Sequence, residues 1–73
     1  MISDPVIARH ISDLMLEMFR QVDESVGHVR ERCSPDEASA YQRATAPLAG
    51  AIVMDVLGPL YVRHPELKPR NWD

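Results

Sequence analysis

Between residues 33 and 37 the chain reads Cys-Ser-Pro-Asp-Glu, a helix start with all its parts in place. Ser34 can accept a backbone N–H from the first turn, Glu37 three residues on can reach back to the Ser34 N–H, and Pro35 suits the first helical position. This pattern is a capping box. Cys33 before the cap and Ala38 after the first turn occupy the positions of a small hydrophobic staple. Periodic segments of similar length lie on both sides, so residues 33–37 are read as the bend of a helical hairpin.

The first arm begins at Asp4-Pro5, an N-cap followed by proline at the first helical position. From there Ile7, Ile11, Leu14, Met15, Met18, Val22, Val26, Val29 and Cys33 fall on one side at 100° per residue, with Arg9, Asp13, Arg20, Glu24 and Glu31 opposite. An amphipathic helix of about 28 residues is expected. Its strongest apolar positions recur every eleven residues, Ile7 with Met18 and Val29, and Ile11 with Val22 and Cys33, which favours nearly straight packing over a left-handed coil. Gly27 falls on the polar side, where it is tolerated. Leu16 and Phe19 fall at the margin of the stripe and beyond, so they are expected to be left partly exposed by a lone hairpin and to mark a second interface.

The second arm starts at Pro35 and uses Ala38, Tyr41 and Thr45 on its early face. From Thr45 to Val62 the only charge is Asp55. A helix that is apolar nearly all round needs several neighbours to cover it. The small residues Ala46, Ala49, Gly50 and Ala51 would let another backbone approach closely, and with Val53, Leu16 and Phe19 they are the candidate interface. Pro47 leaves the Arg43 carbonyl without a donor and is expected to kink this helix. Gly58-Pro59 is the harsher interruption, with helix resuming briefly through Leu60, Tyr61 and Arg63. Residues 1–63 are thus a hairpin, and 64–73, with two prolines and no apolar period, an extended tail with Leu67 and Trp72 as anchors.

Seventy-three residues is one small domain, of a size that usually needs a staple or a partner to be stable. The single Cys33 cannot pair within the chain, so a partner is the expected route. With 45% hydrophobic and 26% charged residues the chain has the make-up of a folded protein rather than a disordered one. Its net charge of −3 provides no basic field to gather phosphates, so nucleic acid is not an expected partner. A lone thiol and the lack of a signal-peptide pattern point to a reducing cytoplasm. The 18-residue apolar run is about the minimum that spans a bilayer, but Asp55, Pro47, Pro59 and thin Lys/Arg flanks weigh against a span.

No catalytic, metal-binding or nucleotide-binding motif is present. His10, Glu17, Gln21 and His28, with Glu24 close by, lie within about 40° of one another at the stripe margin. They are the candidate metal seam, though His10 and Glu17 are two turns apart and there is no Glu-x-x-His pair. Polar edging of an interface is the plainer role. Cys33, with His28, Arg30 and Arg32 nearby, is expected as a packed thiol at the bend, where the helix C-terminus and burial both oppose a thiolate. Asp55 is expected to be buried and ion-paired, with Arg63 or an arginine of the first helix. The four Met residues are read as core filler.

The fold class is therefore all-α. In layout the chain resembles the Rop-type regulators, a helical hairpin that dimerises into a four-helix bundle. Three functions follow as expectations: a non-enzymatic cytoplasmic homodimer or higher oligomer without cofactor, which can also engage another protein; a small bundle holding a metal or organic ligand through His10, Glu17 and His28; and a membrane-attached subunit.

Overall fold

The computed structural model describes residues 1–72 and is all-helical, with no strand among them; Asp73, the last residue of the tail, lies outside the described residues. Helix α1 spans Pro5–Arg32. It starts where Asp4 accepts the Val6 and Ile7 N–H groups at 2.8 and 3.3 Å, satisfying two donors that the first turn leaves unpaired. Arg30 and Arg32 sit in its last turn, where the helix dipole favours positive charge. Cys33 ends it in an extended conformation, its N–H donating to the Val29 carbonyl at 2.9 Å. That turn of the backbone carries Cys33 off the apolar stripe. The thiol is exposed, contrary to the packed position expected for it.

Helix α2 spans Pro35–Ala51 and opens on a formed capping box. The Glu37 N–H donates to Ser34 Oγ at 3.2 Å and the Ser34 N–H to Glu37 Oε1 at 3.0 Å. Asp36 and Glu37 also sit where the dipole favours anions. Pro47 lies inside the helix without ending it.

Gly58-Pro59 does not break the chain either. A π-helical segment, Ile52–Leu57, leads directly into helix α3, Gly58–Arg63, so helix is continuous from Pro35 to Arg63. The Ile52 N–H is shared between the Leu48 and Ala49 carbonyls, and the Gly58 N–H reaches back five residues to the Val53 carbonyl. These widened turns lie just ahead of Pro59, whose ring would otherwise crowd the Asp55 carbonyl. They also change the phase of the helix. Thr45, Ala49 and Ile52 follow the α period on the covered face, and Leu57, Leu60, Tyr61 and His64 continue that face only after one five-residue step. Without that extra residue the last two turns would point about 100° away. Gly58 suits this turn, since a Cβ there would lie 3.3 Å from the Val53 carbonyl oxygen that its own N–H engages, and the carbonyl would have to give by a few tenths of an ångström.

The core sits at the end remote from the bend. Ala8, Ile52, Leu57, Leu60 and Tyr61 are buried, with Ile11, Met15, Leu16, Phe19, Leu67 and Trp72 packed around them. Buried Ser12 and Tyr61 share a 2.6 Å hydrogen bond that fixes the level of α3 beside α1. Past α3, a 3-10 turn at Pro65–Leu67 brings the chain back along the bundle, and Trp72 meets Tyr61 edge to face with centroids 4.9 Å apart. Buried His64 donates from Nε2 to the Ile2 carbonyl at 2.6 Å, joining the two ends of the chain, with Nδ1 3.4 Å from the Glu66 carboxylate. Towards the bend no side chain from Gln21 to Gly50 is fully buried. The principal extents are 45 × 20 × 16 Å, the dimensions of a single layer of helices.

Candidate interaction surface

A single layer of two helices has two broad sides, and the chain treats them differently. The part of α1 that α2 covers, Ala8, Ser12, Met15, Phe19 and Val26, centres about a quarter turn from Ile7, Ile11, Leu14 and Met18. The apolar stripe legible in the sequence is thus only partly turned towards α2. Ile7, Leu14 and Met18 remain 49%, 45% and 41% exposed. On α2, Ala44 and Leu48 are displaced from the covered face by a similar angle, and the antiparallel course of the helices brings them to the same side as that row. Leu48 is 50% exposed.

The opposite side is closed in part by the chain itself. Pro69, Asn71 and Trp72 of the tail share a hollow of about 230 Å³ with Leu16, Phe19, Val53 and Leu57, and Leu67 lies beside Pro5 and Val6. Leu16 and Phe19, expected to be left over by the hairpin, are half-buried and packed against its own core. They are partly exposed, as expected, and their covered part has a simple cause: when every apolar residue is counted, the stripe is centred between two contact directions, and Leu16 and Phe19 belong to only one of them.

Towards the bend the same side holds an open groove of about 350 Å³, floored by Phe19, Val22, Val26, Ala46 and Ala49 and edged by Asp23, Arg30 and Gln42. Arg30 donates to Gln42 across it at 3.3 Å, and Ser25 and Tyr41 bridge the helices at 2.8 Å. Of the residues singled out for close packing, Phe19, Ala46 and Ala49 line this groove, and Leu16 and Val53 line the hollow next to it. Gly50 is half-buried, and a Cβ on it would meet nothing within 4 Å in its own chain.

The polar edge of α1 organises itself around Arg20 instead of gathering ligands. The guanidinium holds Glu17 at 3.0 and 3.2 Å through Nε and Glu24 at 2.7 Å through Nη1, and Gln21 adds a 3.2 Å bond to Glu17. The hydrogen bonds from Arg20, then from Gln21, hold the Glu17 carboxyl below the ordinary carboxylate range, and Glu17 in turn raises Arg20. His10 and His28 are exposed. Among the described residues no three His, Cys, Asp or Glu side chains stand close enough to share a metal ion.

Asp55 is exposed and makes no ion pair among the described residues, against its expected buried pairing. Its place in the π segment turns it outwards, as it does Met54, which is 72% exposed, and Val62 on α3 is 85% exposed. The helical run Pro35–Arg63 has a mean hydropathy of 1.5 over its most apolar 18 residues, enough by length and composition for a span, and only 22% of that window is buried. The structure therefore does not enclose its most apolar segment. No protein-family model, curated protein or solved structure matches this chain.

Proposed function

We propose that the protein is a non-enzymatic, cytoplasmic self-association module whose hairpin pairs with a second copy to form a four-helix bundle. The observation that carries this reading is the exposed row Ile7, Leu14 and Met18, a quarter turn from the α2 contact and on the same side of the hairpin as exposed Leu48. A helix in a four-helix bundle touches two neighbours at about right angles, so its apolar arc is wider than one partner can cover. The surface area agrees. The chain exposes 5392 Å², about 800 Å² more than the roughly 4,600 Å² of a compact 8.3 kDa monomer, and a standard interface buries about 800 Å² per partner. Its radius of gyration, 14.5 Å against about 11 Å for a compact chain of this length, points the same way. A bend of α2 at Pro47 would curve that arm around the partner.

Sedimentation equilibrium at micromolar concentration tests the reading. A dimer is expected, dissociated by Leu14→Asp or Met18→Asp. Gly50→Leu distinguishes the other side: if that variant weakens association while Leu14→Asp does not, the partner sits on Leu16, Phe19, Ala46, Ala49, Gly50 and Val53 instead. A monomer that melts cooperatively would overturn self-association. Membrane attachment is a second reading, favoured by the open, apolar Pro35–Arg63 run. Recovery of the protein in the soluble fraction without detergent rejects it.

A further inference from the structure

The open groove near the bend ends in a pair of hydrogen-bond donors, and we infer that it binds a long-chain monocarboxylate, with the alkyl tail along the groove and the carboxylate on Arg30 and Gln42. This site is independent of how two copies associate. The floor is apolar, built from Phe19, Val22, Val26, Ala46 and Ala49, and the volume of about 350 Å³ falls within the roughly 300–1,000 Å³ of pockets that hold small molecules. From Phe19 to Arg30 the groove follows α1 for about 16 Å. A slot of that length and volume is long for its width, the shape of an unbranched chain rather than a ring. Thr45, the one hydroxyl along it, is already engaged by the Tyr41 carbonyl at 3.0 Å.

Arg30 and Gln42 come from different helices and meet at the bend end of the groove. A guanidinium can only donate, so the 3.3 Å bond from Arg30 Nη2 turns the Gln42 carbonyl oxygen towards it and leaves the Gln42 amide N–H groups without an acceptor among the described residues. Arg30 makes no ion pair among them either. A carboxylate placed here takes hydrogen bonds from both groups, the planar fork of the guanidinium matching its two oxygens. The helix dipoles do not oppose it, because the C-terminal end of α1 and the N-terminal end of α2 lie side by side at the bend and offset each other. Asp23, the other charge on the groove, lies about 10 Å from Arg30 along α1. It repels a second carboxylate, so it sets the direction of the ligand: charged head at the bend, uncharged tail running past Asp23 towards Phe19.

Dodecanoate below its critical micelle concentration is the probe. Titrated into the isotope-labelled protein, it should saturate at one per chain and move the side-chain resonances of Phe19, Val22, Val26, Ala46, Arg30 and Gln42. Octanoate should bind at least tenfold more weakly, since each methylene held against apolar surface is worth up to about fourfold in affinity. Dodecylammonium, with the same tail and the opposite charge, should not saturate. Arg30→Gln should weaken dodecanoate binding by about tenfold or more. Ala46→Trp, which fills the groove from an exposed position, should abolish it without lowering the melting temperature. Shifts centred on Ile7, Leu14, Met18 and Leu48, equal affinity for the ammonium, or binding unchanged by Arg30→Gln would each overturn the site. So would dissociation of a dimer by dodecanoate on sedimentation, because the groove would then be the seat of the second copy.

Discussion

The two ends of the hairpin are made from the same pair of helices and are held by different means. At the bend, order comes from local chemistry: the capping box, the arginines in the last turn of α1, and one tyrosine–serine bridge over half-buried valines. At the far end, order comes from residues distant in sequence, with Ala8, Ile52, Leu57, Leu60 and Tyr61 buried and both chain termini folded over them. Signals strong enough to position a bend need little core beneath them. A core built from distant residues needs the helix phase corrected, and the π segment does this.

Side-chain truncation should separate the ends most sharply. Leu57→Ala removes a fully buried side chain and is expected to destabilise by about 3 kcal/mol, whereas Val26→Ala, half-buried near the bend, should cost about 1 kcal/mol or less. Thermal melts at one fixed concentration give both values, and equal losses would mean that the bend is packed as tightly as the core. The two tyrosine–serine bridges make a finer comparison. Tyr61→Phe strands the buried Ser12 hydroxyl and should cost about 1–2 kcal/mol. Tyr41→Phe should cost about 0.5 kcal/mol, because Ser25 keeps its 2.6 Å bond to the Val22 carbonyl. Ser34→Ala, at the bend itself, should cost about 1 kcal/mol through loss of the cap.

Glycine substitutions should differ in sign. Gly27→Ala meets nothing within 4 Å and should stabilise by roughly 0.5–1 kcal/mol, while Gly58→Ala meets the Val53 carbonyl and should destabilise by a similar amount. Stabilisation by both would show that the π turn yields without strain. The smallest effect is one of pH. Hydrogen bonds from the Ser34 backbone and side chain lower the Glu37 pKa in the folded chain. Its contribution is therefore complete above the ordinary glutamate pKa and disappears as pH falls through the lowered folded value. The melting-temperature gap between wild type and Glu37→Gln should close over that acid range, and a constant gap would mean that the carboxylate charge has no part in the box.

What could be read in the sequence follows the same division. Asp4-Pro5 and Ser34-Pro35-Asp36-Glu37 announce helix starts because a cap is satisfied by residues within one turn. The interior could not be read so directly. Leu16 and Phe19 looked surplus because a single stripe was drawn through an arc that serves two directions. Gly58-Pro59 looked like a stop because the local preference of each residue is against helix, and nothing nearby discloses that a widened turn relieves both. Cys33 and Asp55 were expected inside from their apolar neighbours, yet one lies where the backbone leaves the helix and the other on the outer side of the π segment. The surface itself was partly legible: the exposed row Ile7, Leu14 and Met18 belongs to the stripe found by periodicity.

The widened turn also makes the chain tolerant of one particular change in length. Removing a single residue from a packed α-helix ordinarily rotates everything after it by about 100° and ruins the buried face. Between Val53 and Val56, loss of one residue would instead convert π turns to α turns and leave Leu57, Leu60, Tyr61 and His64 facing inwards, with the next carbonyl–amide pairs taking up the ladder. Among relatives of this protein, one-residue gaps should collect in those four positions and be rare elsewhere along the second arm.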